Sequence, residues 1–322
     1  MTLSAVTGRE AVIADSESIS VVVPVYNSAP SIEELVSRTG KVMADLGRSW
    51  EMILVDDGSS DDSWSVILGM MEEEQRLRGI RLSRNYGQHN ALLCGIRTAS
   101  MPLTVTIDDD LQIPPEEIPV LLDRLDESTD VVYGTPARER HSFWRRVASR
   151  MTKTVLRSAM GARTASRVSA FRVFRTHLRQ AFSNYGGAFV SVDVLLSWGT
   201  TRFDSVDVRH EPRKHGRSQY TVRRLVLHAL NMMTGFSTLP LEIASLAGFV
   251  FTLFGLAVLV FVIGRYLVEG GSVPGFPFLA SIIAIFSGVQ LFSLGIIGEY
   301  LARMHFRVMD RPQYTVRTDT GE

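Results

Sequence analysis

Three consecutive aspartates, Asp108 to Asp110, end an apolar run and are closely followed by Gln112. Carboxylates this close together repel one another unless a cation or hydrogen-bond donors compensate their charge. Carboxylate and amide oxygens are the ligands that Mg²⁺ and Mn²⁺ prefer, and Mg²⁺ often also binds substrate phosphates. Asp108, Asp110 and Gln112 are spaced by two, so an extended backbone would direct all three to one side. The pattern predicts a metal–diphosphate site, although a solvated acidic loop that caps the next helix would look the same.

Short apolar segments alternate with amphipathic ones in the first part of the chain. The triplet follows directly after one of the apolar segments. We predict strands at residues 19–25, 51–55, 80–82 and 103–107, with helices between them. This alternation is typical of an α/β fold with a mainly parallel sheet, in which ligands bind at the carboxyl ends of the strands. Three strand ends carry polar residues: Tyr26 and Asn27, Asp56 and Asp57, and the triplet. We expect them to converge on one crevice that binds a nucleotide.

Composition excludes several classes of protein. The 322 residues suffice for one large domain and an appendage, and 34 basic residues balance 34 acidic ones, so charge indicates neither nucleic acid nor an acidic partner. Cys94 is the only cysteine, which excludes an intramolecular disulfide and a cysteine-based zinc site. Residues 1–17 are polar and acidic; we expect a disordered tail without a signal peptide.

The last third of the chain is apolar. Residues 243–267 and 276–298 are long enough to span a bilayer as a two-helix hairpin, and a linker without a basic residue separates them. Both outer flanks are rich in arginine, so the positive-inside rule places the α/β domain and both termini in the cytoplasm, and the protein in the inner membrane. Two buried helices of a soluble core are the alternative interpretation.

Two further segments, residues 143–160 and 220–236, combine apolar and basic residues at helical spacing. Such helices commonly lie on an anionic membrane surface, although each alone could be an ordinary surface helix. We therefore expect a tail at 1–17, a catalytic domain at 18–218, an interfacial helix at 219–240, a transmembrane hairpin at 241–300 and a cytoplasmic C-terminal tail at 301–322.

Six segments of the sequence, taken together, resemble the motifs of a known family. In order, they are residues 22–27, 54–59, 83–87, 108–116, 213–220 and 298–300. They are similar to those of family-2 glycosyltransferases with an A-type, Rossmann-like fold, and within them to those of polyprenyl-phosphate glycosyltransferases. That branch includes dolichol-phosphate mannose synthases, O-antigen carrier-lipid glucosyltransferases and the formamido-arabinose transferases of undecaprenyl phosphate. The resemblance runs from about residue 19 to 316.

The resemblance implies roles for individual residues. Nucleotide-sugar contacts fall on Pro24, Tyr26, Asn27, Asp56, Asp57, Arg84 and Asp108. Asp110 and Gln112 would ligate Mg²⁺ or Mn²⁺. Contacts to a lipid phosphate fall on Arg138, Arg145, Ser149, Arg213 and Ser218. The resemblance makes Asp108, Asp110 and Arg213 the catalytic residues.

Two positions depart from the family pattern. Many members have glutamate after the Tyr-Asn pair, where this chain has Ser28, and lysine where this chain has Gln219. The first departure removes an expected nucleotide contact, and the second removes a positive charge near the phosphates.

The activity that the resemblance implies is inverting transfer of one sugar from a nucleotide diphosphate, with a UDP-sugar favoured, to a polyprenyl phosphate. The acceptor phosphate is largely ionised at neutral pH, so it needs positioning by arginine more than it needs a base. Expected partners are the donor, undecaprenyl or decaprenyl phosphate, membrane lipid and further copies in a homo-oligomer such as a tetramer, but no nucleic acid. A cell-envelope glycan such as lipopolysaccharide would receive the sugar.

Two other functions remain open. A processive polysaccharide synthase would share the acidic triplet but would carry a Gln-x-x-Arg-Trp motif and more membrane helices, and this sequence has neither. A non-catalytic membrane scaffold would be expected to have lost the acidic residues, and Asp108 and Asp110 are present.

Overall fold

The computed structural model describes residues 18–136, 167–187, 189–212, 239–269, 275–309 and 312–321. The chain forms two compact units, one made of residues up to 227 together with residues 311–322, the other made of residues 228–310.

The first unit contains an eight-stranded sheet and five α-helices among its described residues. The strands are β1 (Ile19–Val25), β2 (Trp50–Asp56), β3 (Leu77–Leu82), β4 (Leu103–Thr106), β5 (Val131–Pro136), β6 (Arg172–Arg175), β7 (Phe203–Val208) and β8 (Val316–Asp319). The helices are α1 (Ala29–Leu46), α2 (Ser63–Glu73), α3 (Gln88–Thr98), α4 (Ile118–Arg124) and α5 (Val192–Gly199). Short 3₁₀ helices cover Pro115–Glu117 and Thr176–Phe182.

The strand order is β7-β5-β6-β4-β1-β2-β3-β8. Strand β1 lies parallel between β2 and β4, and β3 continues the parallel sheet beyond β2. Strand β6 runs antiparallel between β4 and β5, and β8 runs antiparallel along β3. The predicted α/β class and mainly parallel sheet are confirmed.

Both faces of the central strands are buried, which explains why β1 and β2 are continuous apolar runs. Alternate residues of β1 pack into separate cores: Val21 and Val23 contact the layer that contains α1, and Val22 contacts the layer that contains α3. This two-sided packing fixes the register of the strands and holds their carboxyl ends at one edge.

The second unit contains two long helices, α6 (Leu239–Glu269) and α7 (Phe276–Val308). Both are long and apolar enough to cross a membrane, with candidate spans Pro240–Arg265 and Ile285–His305. Neither span is buried inside the protein, unlike core helices of a soluble domain. Helix α7 begins where predicted but continues beyond residue 298, and Arg303 in its extension pairs with Glu299 at 2.7 Å.

Some predicted segments lie outside the described residues. These are the N-terminal tail (1–17), both basic amphipathic segments (143–160 and 220–236) and most of the linker between the apolar helices (270–274). The C-terminal segment shows an element that the sequence did not predict, because residues 316–319 form strand β8 of the sheet.

Candidate functional site

The carboxyl ends of β1, β2 and β4 lie side by side. Val25 at the end of β1 is in register with Asp56 at the end of β2, and Val22 is in register with Thr106 at the end of β4. The structure therefore brings the three predicted polar strand ends to one edge of the sheet. This convergence follows from parallel pairing alone, since parallel neighbours end at the same side.

The acidic triplet lies in a turn and not in an extended strand. Strand β4 ends at Thr106, and Leu111 adopts a left-handed backbone (φ 57°) while its side chain is buried. The N–H of Gln112 donates to Oδ1 of Asp110 at 3.0 Å and closes the turn. The expectation that Asp108, Asp110 and Gln112 share one side of an extended backbone is therefore wrong. Burial of the Leu111 side chain holds this unfavourable backbone conformation in place.

Asp109, for which the sequence predicts no role, joins the acidic turn to the end of β1. Its carboxylate accepts the backbone N–H of Tyr26 at 3.1 Å and also hydrogen-bonds the side chain of Ser28. Burial, with a smaller effect of the Asp110 charge, raises the pKa of Asp109 to about 6. Ser28, at a departure from the family pattern, thus supports the acidic turn from the β1 loop.

We predict that Asp109→Asn stabilises the protein at pH 7.5 and not at pH 4. A carboxyl group with a pKa near 6 in the folded state and 3.8 when unfolded binds more protons when folded, so its contribution to stability falls as pH rises through 6. Asparagine can still accept the Tyr26 N–H but never ionises. We expect a gain of about 1–2 kcal/mol at pH 7.5.

Thermal unfolding in detergent with a chelator, at both pH values, measures this effect. Asp123→Asn, which changes an exposed aspartate on α4, serves as the matched control. An equal gain at both pH values would show that loss of the Asp109 charge is not the cause.

Asp57 anchors the loop that follows β3. It is buried, and its two carboxylate oxygens accept the backbone N–H groups of Tyr86 (2.7 Å) and Gly87 (2.8 Å). Burial raises the pKa of Asp57 to about 6, although these two hydrogen bonds act in the opposite direction. The loop also packs closely on Gly58, where an added Cβ would lie 2.5 Å from the carbonyl carbon of Arg84.

Asp56 and Asn27 hold the β1 and β2 loops. Asp56 is fully buried, accepts the N–H of Ser59 at 2.9 Å and lies 3.3 Å from Nε of Arg81. Asn27 has a left-handed backbone (φ 52°), donates its N–H to Oγ of Ser59 at 3.0 Å and accepts the N–H of Ser60 at 2.8 Å. These two predicted nucleotide ligands therefore contact the protein, and their direct contact with a nucleotide stays a prediction.

The remaining predicted nucleotide residues differ in exposure. Pro24 is buried within β1, opposite Val55 of β2. Tyr26 is 39% exposed at the end of β1, which leaves its ring available for stacking. The guanidinium of Arg84 is exposed and lies 4.7 Å from the centre of the Tyr86 ring. Tyr26, Asn27 and Arg84 are thus the predicted nucleotide residues that are exposed at the surface.

Asp108 is oriented by the first residue of α3, because Nε2 of Gln88 donates to its Oδ1 at 2.7 Å. In the part of the chain that the structure describes, no group of three acidic, histidine or cysteine side chains could hold a metal. Mg²⁺ is commonly bound by one or two carboxylates, with waters and substrate phosphates completing its shell. The donor set of Asp108 and Asp110, partly exposed in one turn, fits a site of that kind.

The segment after β7 lies against the acidic turn. The N–H of Glu211 donates to the carbonyl oxygen of Gln112 at 2.7 Å, and Arg209 forms an ion pair with the buried carboxylate of Glu117. Arg213 follows this segment in the sequence. All five predicted lipid-phosphate residues lie outside the described residues: Arg138, Arg145, Ser149, Arg213 and Ser218.

A buried polar cluster beneath the site was not predicted. Arg172 on β6 pairs with Asp193 on α5 and donates to the hydroxyl of Thr106 at 3.0 Å. The hydroxyl of Tyr133 donates to the same aspartate at 3.2 Å. The cluster ties α5 to the end of β4, two residues before Asp108. No signal in the sequence marks this pairing, because it joins residues that are distant along the chain.

The model of the family described as glycosyl transferase family 2 matches residues 20–187. The chain is 33% identical to the undecaprenyl-phosphate 4-deoxy-4-formamido-L-arabinose transferase of Pectobacterium carotovorum subsp. carotovorum (strain PC1), over 95% of this chain and 94% of that protein. It is 34% identical to the transferase of the same name from Klebsiella pneumoniae (strain 342), over 94% of this chain and 93% of that protein.

Among solved structures, the chain resembles the glucosyl-3-phosphoglycerate synthase of Mycobacterium tuberculosis in complex with Mn²⁺ and UDP-glucose. The TM-score is 0.51, the identity is 19%, and the match covers 70% of this chain and 80% of that one. A mycobacterial protein gives a TM-score of 0.52 at 17% identity, over 70% of this chain and 77% of that one. These likenesses concern the fold.

Proposed function

Because the chain belongs to glycosyl transferase family 2, we propose that it transfers one sugar from a nucleotide diphosphate donor to a polyprenyl phosphate. A UDP-sugar is the favoured donor, and undecaprenyl or decaprenyl phosphate is the favoured acceptor. The product is a lipid-linked sugar for modification of a cell-envelope glycan. Relatives that match over nearly the full length of the chain, membrane-length helices included, are named undecaprenyl-phosphate transferases, which supports this acceptor.

The observation that carries the proposal is that three polar strand ends, one of which is the acidic turn, meet at one edge of the sheet. The base of a nucleotide would stack on the exposed ring of Tyr26. Pro24 and Asp56, which are buried at the ends of β1 and β2, would lie beneath the nucleotide. Asp57 would act by holding the Tyr86–Gly87 backbone, since both its oxygens accept N–H groups there. Arg84 lies on the same loop and would meet the donor phosphates as a bidentate cation.

Asp110 and Gln112, with Asp108 beside them, would hold a divalent metal together with the donor diphosphate. When bound, Mg²⁺ or Mn²⁺ would act as a Lewis acid that neutralises the diphosphate as it leaves. Gln88 keeps Asp108 in one orientation, and Asp109 ties the turn to β1. The protein thus presents carboxylate oxygens that are already positioned and need little reorganisation during the reaction.

The acceptor phosphate would attack the anomeric carbon with one of its oxygens, while the bond from that carbon to the donor diphosphate breaks. Attack opposite the leaving group inverts the anomeric configuration. The phosphate is already ionised at neutral pH, so no proton has to be removed from it. Arg213, with Arg138, Arg145, Ser149 and Ser218, would bind this phosphate. The N–H of Glu211, two residues before Arg213, donates to the carbonyl oxygen of Gln112, which supports the assignment of Arg213.

The apolar helices would form a transmembrane hairpin, with the α/β domain and both termini in the cytoplasm. This orientation follows from the arginine-rich flanks and from the neutral linker between the helices. The acceptor would then reach the site from the inner leaflet of the cytoplasmic membrane. The protein would form a homo-oligomer, such as a tetramer, in this membrane.

We predict that Arg213→Ala raises the KM for polyprenyl phosphate and leaves the KM for the donor unchanged. A charge-assisted hydrogen bond contributes roughly 1.5–3 kcal/mol, which corresponds to about a 10- to 150-fold rise in KM. Arg213→Lys should recover part of this loss because it keeps the charge but not the bidentate geometry. Lys41→Ala, an exposed change on α1, is the control. A rise confined to the donor KM would place Arg213 at the nucleotide.

The function is tested with the detergent-purified full chain, undecaprenyl phosphate, and a panel of UDP-, GDP- and dTDP-sugars. Mass spectrometry of the lipid fraction should show one added sugar, and a chelator should abolish the product. A ladder of longer products would indicate a processive synthase. Nucleotide binding without any lipid product would favour a non-catalytic scaffold.

A further inference from the structure

The segment after α7 returns to the sheet and reaches the loop that Asp57 anchors. Strand β8 pairs antiparallel with β3, with Ile80 opposite Asp319 and Leu82 opposite Val316, and the register shifts between Arg81 and Leu82. The irregularity lies where β3 passes into the Ser83–Gly87 loop. The two ends of the C-terminal segment contact different parts of β3 and of this loop.

The C-terminal end of this segment, at residues 319 and 320, is hydrogen-bonded to the middle of β3. The guanidinium of Arg78 donates two hydrogen bonds to the carboxylate of Asp319, at 2.8 and 2.7 Å. The N–H of Gly79 donates to Oγ1 of Thr320 at 3.0 Å, and the N–H of Thr320 donates to the carbonyl oxygen of Gly79 at 3.1 Å. The Asp319 side chain is 12% exposed. Bidentate pairs that are shielded from water are the stronger class of ion pair.

The other end reaches the Ser83–Gly87 loop. The N–H of Ser83 donates to the carbonyl oxygen of Thr315 at 2.9 Å, and the side chains of Thr315 and Tyr86 are hydrogen-bonded. Gln313 accepts a hydrogen bond from Arg97 at 2.9 Å and donates to the carbonyl oxygen of Tyr185. The segment is therefore fixed on both sides of Thr315.

The same loop contacts the candidate site directly. The backbone N–H groups of Tyr86 and Gly87 are the two donors to Asp57, and the next residue, Gln88, orients Asp108. Tyr86 therefore links Thr315 to Asp57, because it is hydrogen-bonded to both residues. A shift of the loop would move both N–H groups and the start of α3.

We propose that the C-terminal segment, residues 313–320, positions the Ser83–Gly87 loop for donor binding, with Thr315 and the Arg78–Asp319 pair as its positioning residues. The proposal rests on the proposed function of the site. A simpler role for β8 is to cover the exposed edge of β3, as edge protection is a general need of sheets. Edge cover would affect stability only, whereas positioning would change donor affinity selectively.

Exchanging the charges of Arg78 and Asp319 distinguishes positioning of the Ser83–Gly87 loop from protection of the β3 edge. We expect Arg78→Glu and Asp319→Arg each to raise the donor KM at least tenfold, with the acceptor KM within twofold of wild type. The double variant Arg78→Glu/Asp319→Arg should return the donor KM to within threefold of wild type. Thr315→Val keeps the backbone bond to Ser83 but loses the hydroxyl, and should raise the donor KM about threefold. Arg317→Ala, exposed on the same strand, is the control.

Calorimetric binding of UDP, with GDP for comparison, is measured on the same full-length variants. If neither the wild-type protein nor any variant transfers sugar, the proposed function fails. The affinity for UDP still shows whether the C-terminal segment positions the Ser83–Gly87 loop. Weaker UDP binding in the single variants and recovery in the double variant would support the proposal. Lower melting temperatures with unchanged UDP affinity and donor KM would overturn it, and so would single variants whose loss the double variant does not recover.

Discussion

Replacing Asp110 with asparagine is expected to lower kcat about 1,000-fold and to leave the fold intact. Loss of a charged metal ligand removes roughly 4 kcal/mol of transition-state stabilisation, given the several kcal/mol that a bound metal supplies. Asparagine keeps a side-chain oxygen that can accept the N–H of Gln112, so the acidic turn can still close. The expected loss is therefore chemical and not structural. Single-turnover transfer to undecaprenyl phosphate measures it.

The metal dependence of this variant distinguishes a ligand from a general electrostatic contribution. If Asp110 ligates the metal, the Mn²⁺ concentration for half-maximal rate should rise at least tenfold, and Asp123→Asn should behave as wild type. A variant with reduced rate but an unchanged Mn²⁺ requirement would remove Asp110 from the metal site. Circular dichroism and melting temperature check that the fold is retained.

The second large effect is expected from Asp57→Ala, which should raise the donor KM at least about 30-fold, or about 2 kcal/mol. The change leaves the N–H groups of Tyr86 and Gly87 without their acceptor, at roughly 1–3 kcal/mol each. It also removes a buried charge that, with a pKa of about 6, opposes folding at neutral pH by up to about 3 kcal/mol. The two stability terms largely offset each other, so loop position should change more than stability.

Donor binding and chemical unfolding of the same protein test this balance. Asp126→Ala is a matched control, since Asp126 also accepts two hydrogen bonds, from the N–H and hydroxyl of Ser128, at 2.8 and 2.7 Å in an exposed loop. Unchanged donor KM in Asp57→Ala would show that the loop does not depend on its anchor. A loss of unfolding free energy well above 3 kcal/mol would show that the buried charge of Asp57 opposes folding by much less than about 3 kcal/mol.

Much of the central fold could be predicted because its signals are local. The apolar runs at residues 19–25 and 103–107 lie close to the observed strands β1 and β4. Parallel pairing of such strands then brings Asp56 and Asp108 to one edge without further information. The residues that match the family model, 20–187, include all of these strand ends.

The details of the site could not be predicted because they depend on contacts between distant residues. The left-handed conformation of Leu111 follows from burial of its side chain, which spacing alone does not reveal. Asp109 acts through the N–H of Tyr26, which lies 83 positions earlier in the sequence. Strand β8 is short and mostly polar, and residue 319 pairs with residue 80. Nothing in its local sequence distinguishes it from a solvated tail.

The late position of β8 in the sequence has a consequence for biosynthesis. Strand β3 is complete at residue 82, but its neighbour begins at residue 316, after both apolar helices. At about 5–20 residues per second, the nascent chain would spend roughly 10–50 s with β3 as an open edge. Unpaired edges are sites of aggregation, so this interval is a period of risk for the new protein. Completion of the sheet therefore follows synthesis of the two apolar helices.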